Sequence, residues 1–192
     1  TSQEIKKVLE EVYANTNRLI RLVNTFLNVS RIESGRLTIM QSDINMVELA
    51  RKVVQELQFS ARDRGLSIEL KSETDTVMAN IDSDKVEDVV INLVDNAIKY
   101  TEKGKVIVRV IDKDKRVRVE VQDTGQGLDT SEIKPLFHKF VRGARSFQLH
   151  TDGSGLGLYI AKRVVDMHAG EIGVESSGEN TGSMFWFELP KK

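Results

Sequence analysis

Six of the chain's 13 glycines fall between Gly125 and Gly157, and the company they keep narrows the folds open to this sequence. Three segments follow one another: Asn92-Leu-Val-Asp-Asn96-Ala-Ile-Lys99-Tyr100, Asp123-Thr-Gly125-Gln-Gly127-Leu, and Asp152-Gly153-Ser-Gly155-Leu-Gly157-Leu. Each is weak alone, since a lone glycine pair is usually a turn and an asparagine on a helix usually caps or faces water. Glycine concentrated in this way marks backbone that must approach something closely or take φ > 0, where a Cβ is penalised. Three such stretches in order describe the walls of one pocket.

The 192 residues suffice for one or two domains with a substantial core. With 40% hydrophobic and 30% charged residues the chain is an ordinary globular one. A net charge of −1 supplies no global field for nucleic acid or anionic lipid, and zero cysteines exclude disulfides and thiolate metal sites. No run of 18 apolar residues and no signal peptide is present.

Along the chain, Ile5, Leu9, Val12, Thr16, Leu19, Val23, Phe26 and Ser30 repeat at alternating steps of four and three. This is a heptad seam without Gly or Pro, widened by Val8, Leu22 and Leu27 toward a bundle helix. The spacing predicts one helix over 3–33, roughly 45 Å long, stopped by Gly35 and set apart as its own element. Leu37–Met40 then reads as a short strand. An amphipathic helix is expected over 45–63, ended by Gly65, followed by strands at 66–70 and 77–81. Val86, Val90, Leu93 and Ala97 predict a helix at 83–100. Residues 105–111 and 116–122 should pair as a hairpin. Residues 124–154 lack periodicity apart from a short helix near 130–136, as a functional lid does. A helix at 155–168 and strands at 170–176 and 182–189 complete the pattern.

Asn92, Asn96 and Lys99 lie at i, i+4 and i+7, on one face of their helix. Carboxamide oxygens are hard, neutral ligands suited to Mg²⁺ shared with phosphate oxygens, and Lys99 adds positive charge one turn on. On an isolated helix the same trio would more often be a solvated polar face. Asp123, at a strand end, can accept from an exocyclic amine, which adenine has and guanine's equivalent edge lacks. Asp-Thr-Gly also occurs in aspartic proteases, but there a small residue follows, and here Gln126 and Gly127 do. Gly153-Ser-Gly155-Leu-Gly157 stands before an apolar-periodic helix, a junction suited to anions. Its spacing matches neither GxxxxGK[ST] nor GxGxxG.

With these motifs in view, the chain resembles the catalytic ATP-binding domain of sensor histidine kinases, in the superfamily shared with Hsp90, MutL and DNA gyrase. Residues 92–100 resemble the N box, 123–128 the G1 box, 137–140 the F box and 153–158 the G2 box. Residues 182–190 resemble the closing strand, and 23–36 the end of the second dimerisation helix. The resemblance implies an α+β fold, a two-layer α/β sandwich (the Bergerat fold) with helices on one face of a mixed sheet, preceded by a long amphipathic helix. Residues 1–35 would be the second helix of the dimerisation hairpin and 36–192 the catalytic domain, with a lid at about 124–154.

The resemblance also implies roles. Asn96 would be the principal Mg²⁺ ligand, and Asn92, near metal and phosphates, would be a second metal-site residue and, with Arg142, a catalytic one. Lys99 would reach the phosphates and Tyr100 would border adenine. Asp123 would bind the adenine amine, and Gly125 and Gly127 would shape the base pocket. Gly153, Gly155 and Gly157, with Leu156 and Leu158, would form the phosphate-facing helix entrance. Arg142 would contact the γ-phosphate, with Lys139 a weaker candidate. Implied partners are ATP, a histidine-bearing dimerisation helix, a response regulator receiver domain and a second copy in an intact homodimer, with no nucleic acid. The domain would be cytoplasmic, in a parent protein with room for an upstream membrane anchor.

Two departures stand out. The family's phosphoacceptor lies in a His-Glu-x-x-Thr-Pro-like context, and His138, His150 and His168 all lack it. Ala169 stands where the family often has Gly. Alternatives are a related ATPase, which typically carries Glu in place of Asn92 to activate water, an anti-sigma serine kinase, or a nucleotide-sensing dimerisation module.

Overall fold

The computed structural model describes residues 2–141 and 154–191. It separates into two compact units, Thr1–Thr38 and Ile39–Lys192. The first is helix α1, Ser2–Glu33, as the heptad spacing predicts. Gly35 ends it at φ +64°, in the left-handed conformation, and the N–H groups of Arg36 and Leu37 turn back to the Arg31 carbonyl. Ile5, Leu9, Val12, Leu19, Val23 and Phe26 along the seam are exposed. Among the described residues no helix is long and apolar enough to cross a membrane.

The second unit runs β1 (Ser42–Asn45), α2 (Met46–Asp63), β2 (Ser67–Ser72), β3 (Met78–Ile81), α3 (Ser83–Tyr100), β4 (Lys105–Lys113), β5 (Arg116–Asp123), α4 (Thr130–Ile133), α5 (Gly157–Met167), β6 (Glu171–Glu175) and β7 (Met184–Pro190). Five strands form one sheet in the order β2-β4-β5-β7-β6, parallel between β2 and β4 and antiparallel elsewhere. β1 and β3 make a separate antiparallel pair. The strand expected at Leu37–Met40 is instead β1, a few residues later. The Met40 N–H is taken by the Asp82 carboxylate, 2.8 Å away, and so joins no ladder.

Strand alternation sets the core. Val106, Val108, Val110, Val117, Val119, Val121, Phe185, Phe187 and Leu189 are all buried and line one face of the sheet. Against it lie Val47, Ala50 and Val53 of α2, the stripe Val86, Val90, Leu93, Ala97 of α3, and Ala161, Val164 and Val165 of α5. The helices therefore cover one face of a mixed sheet, the two-layer α+β sandwich expected. On the opposite face Arg118 is stacked on Trp186, 4.2 Å from ring centre, and bonded to Glu120 and Glu188 at 2.7 and 3.0 Å.

Local chemistry fixes the helix that carries the site. Asp82 caps α3, accepting from the Lys85 N–H at 3.1 Å. Its own N–H donates to His168 Nε2 at 3.0 Å, so Nδ1 carries the proton and donates to the Val164 carbonyl at 2.8 Å. His168, 2% exposed, thus ties the end of α5 to the start of α3. At the other end of α3, the Thr101 hydroxyl donates to Ala97 O and stops the helix.

Candidate functional site

The ends of β5 and β7, the C-terminal half of α3, the turn after β5 and the start of α5 enclose a cleft with about 110 Å³ of water-accessible space. Asn96, Ala97 and Tyr100 come from α3; Leu136 and Phe185 supply apolar surface; Asp123 and Ser183 stand together on its wall.

Asp123 is 4% exposed. Its Oδ1 accepts from the N–H groups of Gly125 (2.8 Å) and Ser183 (3.3 Å), and its Oδ2 accepts from the Ser183 hydroxyl at 2.5 Å. Burial pushes this carboxyl above the usual carboxylate range, while the Ser183 hydroxyl and the two amides pull the other way. A carboxylate offers about four acceptor positions; three are engaged, and the one left lies on Oδ2. Sheet register brings Ser183 here, because β5 and β7 pair Gln122 with Met184 and the next step sets Asp123 beside Ser183.

The turn after Asp123 explains its glycines. A Cβ on Gly125 would stand 2.3 Å from the Tyr100 carbonyl oxygen, and one on Gly127, at φ +65°, 2.1 Å from the Gly178 carbonyl oxygen. The turn is sewn to the β6–β7 connection. Gly182 N–H donates to Gly125 O at 3.0 Å, Asn180 N–H to Gln126 O at 2.6 Å, and Leu128 N–H to Ser176 Oγ at 3.0 Å. Sequence reasoning assigned no role to Ser176, Gly178, Asn180 or Ser183; the pair Gly182-Ser183 in the closing segment was the available signal.

On α3, Asn96 Nδ2 donates to Asn92 Oδ1 at 3.2 Å. Asn96 is on the cleft wall and Asn92 is not. The Asn92 carboxamide packs against Gly157, where an added Cβ would meet Nδ2 at 2.2 Å. Leu156 caps α5 without a side-chain hydrogen bond, and the first N–H groups of a helix have no partner within it. Gly155, at φ +67°, accepts the Phe140 N–H at 2.9 Å and so closes the end of the 137–140 segment onto the start of α5.

Of the residues singled out from sequence, Asn96, Tyr100, Asp123, Gly127, Gly155, Gly157 and Leu158 come together on the cleft wall. Gly125 lines the adjoining recess instead. Leu156 is 5% exposed and not on that wall. Lys99 Nζ lies 5.5 Å from the Tyr100 ring centre and faces an adjoining recess shared with Arg64 and Lys103. Lys139 Nζ lies 5.2 Å from the Tyr159 ring centre. Arg142 and Gly153 fall outside the described residues, as does His150, while His138 is exposed.

A buried acid, glycine turns and an amide-bearing helix thus meet around one cleft. The family of histidine kinase-, DNA gyrase B-, and HSP90-like ATPases matches residues 81–192, and the chain belongs to it. It is 33% identical over 188 residues to the sensor protein GacS of Pseudomonas syringae pv. syringae, covering 94% of this chain and 20% of that protein. Full-length ShkA, solved in complex with AMPPNP, superposes with a TM-score of 0.80 at 29% identity, covering 90% of this chain and 36% of that one. Histidine kinase ThkA in complex with the response regulator protein TrrA gives 0.73 at 26% identity, covering 92% and 49%. The chain spans about a fifth of the length of sensor proteins such as GacS and KdpD, and corresponds to the ATP-binding catalytic portion of sensor histidine kinases.

Proposed function

We propose that this chain binds Mg-ATP in the cleft and serves as the nucleotide half of a two-component histidine kinase. The observation that carries the reading is the buried Asp123 carboxylate, held by three donors with one acceptor position spare on Oδ2. That position accepts the amine of adenine and rejects the carbonyl of guanine. Tyr100 borders the base, and Gly125 and Gly127 let the backbone close around it.

The residues present fit a magnesium ion. Asn96 Nδ2 is committed to Asn92, which leaves its Oδ1, a hard neutral oxygen on the cleft wall, for the cation. Magnesium would neutralise phosphate charge and hold the triphosphate in line for transfer. The first N–H groups of α5 at Gly157 and Leu158 bind phosphate oxygens, and Lys99 and Lys139, with Arg142 on the strength of the family resemblance alone, supply cations for the phosphates. Residues 1–35 act as the second helix of a dimerisation hairpin and 36–192 as the catalytic domain.

In the whole protein a histidine on a partner helix attacks the γ-phosphorus. The new N–P bond forms as the bond to ADP breaks, and the phosphoryl group passes on to a response-regulator aspartate. At position 92 an amide cannot take a proton from water, which favours transfer to an acceptor over hydrolysis. With γ-labelled Mg-ATP, the chain alone is expected to stay unlabelled, and a separate polypeptide carrying the histidine helix to become labelled in trans. Acid-labile label on His138, His150 or His168, or rapid phosphate release without an acceptor, would overturn the assignment.

A further inference from the structure

Asn92 and Asn96 are the same residue type one helical turn apart, yet the fold treats them differently. Asn96 is part of the cleft wall, while Asn92, half-buried one turn earlier, packs against the start of α5. The Asn92 carboxamide is confined between two neighbours. On one side it accepts from Asn96 Nδ2 at 3.2 Å. On the other it fills the space that a side chain at position 157 would need, its Nδ2 being 2.2 Å from where a Cβ would stand. Gly157 opens α5, so the same contact braces the start of that helix.

We propose that Asn92 is a positioning residue: it orients the Asn96 carboxamide for a hard cation and acts through Asn96 alone, without contributing a ligand of its own. The physics is that of an outer hydrogen bond fixing an inner ligand. A free asparagine amide rotates between presenting oxygen and presenting nitrogen, and only the oxygen binds a hard cation. Committing Nδ2 to Asn92 Oδ1 selects the productive orientation before the cation arrives. Gly157, lacking a Cβ, leaves the room that the Asn92 carboxamide occupies, beside the helix start that receives phosphate. The inference rests on the Mg-ATP reading above.

The test is a double-mutant cycle read by nucleotide affinity with and without magnesium, on the full chain. Asn92→Ala is expected to weaken apparent magnesium affinity roughly 10–100-fold, the usual effect of removing an outer partner. Added to Asn96→Ala, it is expected to cause no further loss, because nothing remains to orient. Asn92→Asp keeps an acceptor facing Asn96 and restores magnesium dependence in the otherwise wild-type chain, yet rescues nothing in the Asn96→Ala background. Adenosine binding, which needs no metal, is measured beside each variant as a check on the cleft, and the loss that supports the proposal is the magnesium-dependent part of affinity at Asn92→Ala. Multiplying losses, or rescue of Asn96→Ala by Asn92→Asp, would make Asn92 an independent ligand and overturn the proposal. Failure of the wild-type chain to bind adenosine or ATP at all would instead overturn the nucleotide reading beneath it.

Discussion

Replacing Asp123 by asparagine separates what this residue does for the ligand from what it does for the fold. Asparagine has the same shape, and its Oδ1 can accept the Gly125 and Ser183 N–H groups as the carboxylate does. Its Nδ2 takes the place of Oδ2 and donates to the Ser183 hydroxyl, reversing that bond without breaking it. The local network therefore survives. What changes is the spare position, an acceptor in the native chain and an N–H donor in the variant, which now opposes the adenine amine. A hydrogen bond to a charged group contributes about 1.5–3 kcal/mol, so Mg-ATP affinity is expected to fall by roughly 10–150-fold.

Stability moves the other way. Burial raises the folded pKa of Asp123 above its unfolded value. Its stabilising share is thus fully present below the unfolded pKa, where the group is neutral, and is lost as pH rises through the raised folded pKa. At neutral pH the native chain bears that penalty and Asp123→Asn does not. Calorimetric titration with Mg-ATP, paired with thermal unfolding of the ligand-free protein from acid to neutral pH, reads both effects. The expected result is weaker binding with an unchanged or higher melting temperature at pH 7. Native-like affinity, or a loss of affinity matched by a drop in melting temperature, would refute the reasoning.

Other positions give sharp outcomes in thermal unfolding. Ala169 is held at φ +54°, which costs about 1–2 kcal/mol for a non-glycine residue, while glycine loses about 0.4–1 kcal/mol in chain entropy. Ala169→Gly is therefore expected to raise the melting temperature by a few degrees, at about 2–4 °C per kcal/mol. Gly127→Ala combines a left-handed backbone with a 2.1 Å approach to Gly178 O and should destabilise by more than about 2 kcal/mol. For Asp82, burial raises the carboxyl pKa, but the Met40 and Lys85 N–H groups outweigh it and hold the group below its ordinary value. Its contribution is present above the unfolded pKa and lost as pH falls through the folded one. Asp82→Ala should cost about 0.5–2 kcal/mol at pH 7, and the difference from wild type should shrink in acid.

Local pattern carried most of the fold. The stripe Val86, Val90, Leu93, Ala97 and the alternation across β4 and β5 are properties of adjacent residues, and they located α3 and the hairpin closely. The glycines of the Asp123 turn were legible from their concentration, although the atoms they make room for, the Tyr100 and Gly178 carbonyl oxygens, are distant in sequence. Long-range register was not. Ser183 reaches Asp123 through the pairing of β5 with β7, and nothing near Asp123 in the sequence announces a partner 60 residues on. The misplaced first strand has the same origin. Leu37–Met40 has strand composition, but the Met40 N–H goes to Asp82, 42 residues away. His168 is the last residue of the helix expected at 155–168, and its ring also holds the Asp82 amide, a contact set by how α5 packs on α3.

The account's central claim is that this cleft selects adenine through Asp123 and holds it with magnesium. Thermal unfolding with Mg-ATP and Mg-GTP in parallel tests it most directly. A ligand at 100 times its Kd stabilises by about 2.7 kcal/mol, a rise of roughly 5–10 °C for a chain of this size. The account predicts that rise with Mg-ATP and little or none with Mg-GTP. No shift with Mg-ATP, or an equal shift with both nucleotides, would contradict it.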